Sequence, residues 1–240
     1  VGGIDLNFNR FDAAREALQL SLTAFEAVDD AAALAAIRYN LASVHEGLAE
    51  YEQAHTQAEE CLRQFQRIGN RSGEARCWTL LGLIALRQGL LDQAFASYEE
   101  SLVIFQGLED AASVAEVHLR QGLVLLHQGE IQHSDKALRL AHYRFRRLGL
   151  RNSLAVECYF AQAMVALELG NIERAASLIS QCLANAARLD DQWLSSLVYE
   201  GLARVAMHRG EFTAARQHFA ASLRIALASA GLRRNFVTAL

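Results

Sequence analysis

Roughly every 40 residues this chain returns to one spaced pattern, six times over. Each copy opens on a large apolar residue, Phe11, Tyr51, Leu91, Ile131, Ile172 or Phe212. Three positions later stands Ala14, Ala54, Ala94, Ser134, Ala175 or Ala215. A further column holds only small side chains, Ser21, Cys61, Ser101, Ala141, Cys182 and Ser222. A fixed period of this size marks a repeat array, in which no unit buries its apolar face alone and each stacks on its neighbours. The architecture is therefore linear, and length counts units instead of enlarging one core.

Composition agrees with helices throughout. Hydrophobic residues make up 52% of the chain, which is too apolar for disorder, and Pro is absent. Spacings of three and four place first helices at about 30–47, 71–88, 110–128, 151–169 and 192–209. Second helices fall at about 10–28, 50–68, 91–108, 131–148, 171–189 and 212–229. Between first and second helix Gly89, Gly129, Gly170 and Gly210 recur in register, where a left-handed residue ends a helix at no steric cost. Ala49 breaks that column. The links between repeats carry Asp29–Asp30, Gly69–Asn70, Glu109–Asp110, Gly149–Leu150 and Asp190–Asp191, several of them placed to cap the next helix. The repeats are 30–69, 70–109, 110–150, 151–190 and 191–230, with a partial repeat at 1–29 and the start of a further helix at 231–240. All belong to one array over 1–240.

Charge narrows the function classes. A net charge of −4 with scattered Arg lacks the basic stripe that nucleic-acid binding requires. The densest basic group, Arg139, Arg144, Arg146, Arg147 and Arg151, reads as cations at a negative helix end, with an anion site as the alternative. No apolar run approaches the roughly 20 residues needed to cross a bilayer, and no leader opens the chain, so a soluble, cytoplasmic protein is expected. The start at Val1–Gly2–Gly3 and the close at Leu240 inside a beginning helix lead us to expect a piece of something longer. Cys61, Cys77, Cys158 and Cys182 form no Cys-x-x-Cys pair and share columns of small residues, as structural thiols of a reducing cytoplasm do. No zinc-hydrolase helix, phosphate loop or nucleophile elbow occurs, so no enzymatic role, metal or cofactor is expected.

The third unit reads Cys77-Trp78-Thr79-Leu80-Leu81-Gly82, then Gly89, Leu91, Ala94, Tyr98, Ser101 and Leu102, and it resembles the tetratricopeptide repeat signature over its whole length. Elsewhere the match thins. Tyr159 and Tyr199 stand at the Trp position, Arg38 and His118 depart from it, and Ala42, Ala163 and Ala203 replace Gly82. The period of 40 or 41 and the missing Pro resemble the long-repeat branch of the family, which includes Leu-Gly-Asn repeat adaptors, kinesin light chains and bacterial regulator sensor domains. The resemblance implies an all-α fold, a right-handed α-solenoid of antiparallel helix pairs with first helices lining a concave face.

By the same resemblance, the groove-facing positions are Arg76, Thr79, Leu83, Leu86 and Arg87 in the third unit and Glu116, Leu119, Leu123, Leu126 and His127 in the fourth. The fifth supplies Glu157, Phe160, Met164, Leu167 and Glu168, and the sixth Glu200, Arg204 and His208. An apolar floor with a charged rim fits an amphipathic helix, an apolar peptide or a hydrophobic small molecule. A carboxylate clamp does not fit, because Tyr39, Thr79 and Leu119 stand at its Lys position and Ser43, Leu83 and Leu123 at its Asn position. The leading expectation is a protein- or peptide-binding scaffold within a larger protein, touching neither nucleic acid nor membrane. One alternative is the ligand-sensing region of a bacterial transcriptional or signalling regulator. Another is a self-association module, with Phe8, Phe11 and Leu22 at one end and Phe236, Val237 and Leu240 at the other lacking neighbours.

Overall fold

The structure, a computed structural model, describes residues 11–27, 30–186, 188–189 and 192–230. Among these residues there is no strand. The helices are α1 Phe11–Glu26, α2 Ala31–Gly47, α3 Tyr51–Arg67, α4 Arg71–Arg87, α5 Leu91–Gly107, α6 Ala111–His127, α7 Ile131–Arg147, α8 Ser153–Glu168, α9 Ile172–Ala186, α10 Gln192–His208 and α11 Phe212–Ala230. All lie where the periodicity puts them, to within a few residues. The described chain forms two compact units, residues 11–109 and residues 110–229, and the break at 109/110 falls between two repeats.

Within each unit the core is a series of small clusters, each closed by consecutive helices. In the first unit Ala14 and Leu18 of α1 meet Ile37, Leu41 and Val44 of α2. The other side of α2, at Ala35 and Ala42, joins Cys61, Leu62 and Phe65 of α3 and Leu80, Leu81 and Ile84 of α4. In the second unit α8 does the same: Ala155, Cys158, Ala161 and Val165 pack toward α6 and α7, and Val156, Ala163, Ala166 and Leu167 toward α9 and α10. A helix buried on two sides must be apolar around most of its circumference, as α8 is. Second helices such as α3 and α7 bury one side and are amphipathic, with Leu138, Ala141 and Phe145 inward on α7.

Small residues set how closely the pairs approach. A Cβ at Gly82 would stand 2.6 Å from the ring of Tyr98, which is fully buried against it. The Leu-Gly pair of the signature is thus a seat for the aromatic residue of the following helix.

The turn after each first helix is a Schellman motif. Leu90 N–H donates to Ala85 C=O at 2.9 Å and Gly89 N–H to Leu86 C=O at 3.0 Å, with Gly89 at φ +75°. Ala49 makes the same two bonds through Glu50 and itself, at φ +59°, so an alanine occupies the left-handed position its column reserves for glycine. Asp30, Asn70, Asp110 and Asn152 cap the helices that follow them through side-chain oxygens. Asp29, Asp190 and Asp191 lie outside the described residues, as do Phe8, Phe236, Val237 and Leu240. Phe11 and Leu22, expected to lack neighbours, instead pack on the α1–α2 cluster.

The four cysteines are free and buried. Burial pushes the thiols of Cys158 and Cys182 up to about 12, and Cys77 is raised by its contact with Cys61 and by burial. They act as small apolar core residues.

Two outcomes follow from these turns and caps. Ala49→Gly relieves the left-handed alanine and is expected to raise stability by about 1 kcal/mol, read as a higher urea midpoint. At Asp110 burial pushes the carboxyl up, but the Ser113 hydroxyl at 2.6 Å and the Ser113 and Ala112 amides outweigh it and hold the carboxyl below its usual range. A lowered folded-state value means that this contribution is complete above the unfolded value of about 4 and fades as pH falls through the folded one. Asp110→Asn keeps an N-cap acceptor without the titration, and is expected to flatten the acid limb of midpoint against pH.

Candidate functional site

A first helix clamped on two sides has one stripe left for other business. On α8 that stripe is Glu157, Phe160, Met164 and Glu168, at spacings of three and four. Phe160 and Met164 are half-buried, resting on the core cluster beneath them, and Glu168 is exposed. On α6 the corresponding stripe carries Glu116, Leu123 and His127, with Leu126 beside it; Leu123 and Leu126 are half-buried and His127 exposed. On α10, Glu200 and Arg204 are partly covered and His208 exposed. In the second unit Leu123 and Leu126 rest half-buried on the cluster between α6 and α8, and Phe160 and Met164 half-buried on the one between α8 and α10.

Two residues expected on that floor belong elsewhere. Leu119 is fully buried among Leu138, Phe145 and Val165, and Leu167 is 4% exposed in the α8–α10 cluster. Helical spacing allows either side of the stripe at these positions, and packing against the second helix claims both. A floor of eight apolar residues across two units thus shrinks, and burying about half of the four half-buried side chains in the second unit yields roughly 3–6 kcal/mol gross.

One charged residue escaped the sequence reading. Arg120, on the α6 stripe in place of Leu119, donates to Glu157 of α8 at 2.8 Å and lies 3.6 Å from Glu116. Its side chain is 14% exposed and that of Glu157 18%, so this pair is well shielded from water. It ties the first helices α6 and α8 together. The i, i+4 spacing of Glu116 and Arg120 was the visible signal; the longer pairing was not. A second intrahelical pair, Arg204 with Glu200 at 2.8 Å, occupies α10.

In the first unit the expected residues are mostly engaged at home. The Arg76 guanidinium stacks 4.6 Å from the Tyr39 ring centroid, and Arg87 Nε donates to Glu46 at 3.0 Å. The Thr79 hydroxyl lies 2.7 Å from that of Ser101 and 3.1 Å from the Ala75 carbonyl, so it serves the α4–α5 packing. Leu83 and Leu86 remain half-buried. Among the described residues no group of three His, Cys, Asp or Glu is placed to hold a metal, and no helix is long and apolar enough to cross a membrane.

Comparison with known proteins follows the same lines. The tetratricopeptide repeat family profile matches residues 39–109 and 160–230, more than half of the chain. No curated protein sequence matches significantly. Among solved structures, BtubC from P. vanneervenii is 18% identical with a TM-score of 0.73, the match covering 96% of each chain. A Rap protein complexed with competence and sporulation factor is 14% identical at TM-score 0.72, over 93% of this chain and 72% of its own. The Rap conjugation gene regulator of plasmid pLS20, solved with the Phr peptide, is 12% identical at TM-score 0.67, over 92% and 72%. These likenesses show the fold, an all-α solenoid of antiparallel helix pairs.

Removing one partner of a shielded ion pair strands the other. Arg120→Met is expected to lower stability by about 1–3 kcal/mol, with Glu157→Gln in the same background restoring part of the loss. Urea midpoints of the two single variants and the double variant check this; purely additive losses would show that the pair contributes no coupling.

Proposed function

Because this chain belongs to the tetratricopeptide repeat family, we propose that it is a non-catalytic binding scaffold whose second unit takes an apolar or amphipathic segment of a partner protein on its first-helix stripe. The observation that carries this reading is that Leu123 and Leu126 of α6 and Phe160 and Met164 of α8 are all half-buried, each keeping part of its apolar surface outside the core. The same first helices carry charged or titratable residues, Glu116, Arg120 and His127 on α6, Glu157 and Glu168 on α8 and His208 on α10, and Arg120 pairs with Glu116 and Glu157. Apolar contact supplies the drive for docking, and the charged residues orient the segment. Four buried cysteines carried as thiols favour work in a reducing compartment such as the cytoplasm.

The second reading, a sensory region of a bacterial regulator, is favoured by the likeness to two Rap proteins solved with their signalling factors. It uses the same stripe and differs in consequence. A sensor changes the arrangement of its helix pairs when the segment binds, whereas a scaffold keeps it.

Peptides selected from an amphipathic library against the intact chain provide the probe. Leu123→Glu with Met164→Glu is expected to weaken them at least about tenfold, or 1.4 kcal/mol, while the helical signal in circular dichroism is retained. Undiminished binding by the double variant removes this reading. Small-angle scattering with and without peptide then separates sensor from scaffold.

A further inference from the structure

The second helices of the second unit carry a different surface. A cleft of about 820 Å³ opens between α7 and α9 with α8 as its floor, and four of its lining residues are Arg139, Arg146, Arg147 and Arg174. Its size lies in the range of small-molecule sites, about 300–1,000 Å³.

The charge within it is unbalanced. Asp135 serves two of the guanidinium groups at once, Arg139 at 2.8 Å and Arg174 at 3.0 Å. Arg146 and Arg147 are exposed and make no ion pair among the described residues. Attraction to a negative helix end, the reading the sequence invites, accounts for Arg146 and Arg147 in the last turn of α7. It does not account for Arg139, which sits in the middle of that helix. Nor does it account for Arg174, in the first turn of α9, where the helix dipole opposes a cation.

The floor is ordered and polar. Gln162 is 3% exposed and its carboxamide oxygen lies 2.9 Å from His142 Nδ1, whose ring meets Tyr159 edge-on at 4.7 Å. Burial disfavours a proton on His142, and Arg146 and Arg174 add to that effect against the hydrogen bond with Gln162, so its titration lies below the usual histidine range. An anion placed among the arginines relieves their mutual repulsion.

We infer that this cleft is a binding site for a small phosphorylated molecule carrying two or more negative charges, held by the Arg139, Arg146, Arg147 and Arg174 guanidinium groups. Planar guanidinium forks match phosphate oxygens two at a time. A nucleic-acid strand would need a basic track extending beyond one cleft, and the chain as a whole is acidic, with a net charge of −4. The site lies on second helices and is independent of the first-helix stripe.

Titration calorimetry of the intact chain with inorganic pyrophosphate tests it. Saturable binding with Kd below about 1 mM is expected, weakened about tenfold or more in the Arg146→Glu, Arg147→Glu double variant and also weakened in Arg139→Gln. The Arg216→Glu, Arg224→Glu double variant, at two exposed positions on α11, controls for the same change in net charge and is expected to bind as before. Absence of saturable binding at millimolar pyrophosphate overturns the assignment, as does equal affinity in the Arg146→Glu, Arg147→Glu variant. Tight binding of a polyglutamate peptide or an RNA oligomer that pyrophosphate cannot displace also overturns it, in favour of a macromolecular partner.

Discussion

Everything in this molecule depends on first helices being gripped from two sides. Helix α8 gives Cys158 and Val165 to one cluster and Val156 and Leu167 to the next, and α2 divides its residues in the same manner. Such a grip requires close approach, which the chain secures with small side chains at fixed places. Gly82 beneath Tyr98 is one case and Gly122 beneath Leu138 another, where a Cβ would stand 2.6 Å from the partner side chain. Interiors at this density respond to a single methyl group. Cys61 and Cys182 belong to the same economy of volume: buried, with thiols that act as short apolar groups.

The grip also decides what is left for function. With two sides consumed, each first helix offers a single stripe, and its residues are half-buried because their inner faces already touch the core. Phe160 and Met164 are therefore held against the core, and under the proposed scaffold reading that support lowers the ordering cost of docking. The Arg120–Glu157 pair adds a polar tie between α6 and α8. Second helices obey a looser rule. They bury one side, so their outer surfaces are free to vary, and in the second unit that freedom has gathered guanidinium groups from α7 and α9 around one cleft.

Much of this was legible in the chain itself. Column by column, the period located the helices of the described residues, the glycine turns and most caps, because these are local consequences of spacing and of backbone conformation. Ala49 shows the strength of the pattern: the alanine adopts the left-handed turn its column demands. The site was legible only in outline. Leu119 and Leu123 look alike in sequence, yet one is sealed in the core and the other is half-buried, since a rotation of a few tens of degrees about the helix axis separates the two environments.

An all-helical repeat array, with its units and turns, can be read from spacing, since each follows from interactions among residues close along the chain. Which residues face outward together depends on how the helices pack. Arg120 meets Glu157 across 37 positions and Arg174 meets Asp135 across 39, and in neither pair does anything in the local spacing name the partner. Charge and apolar area become a surface only when separate helices are laid side by side, and that placement is set by packing between repeats, which no single repeat records.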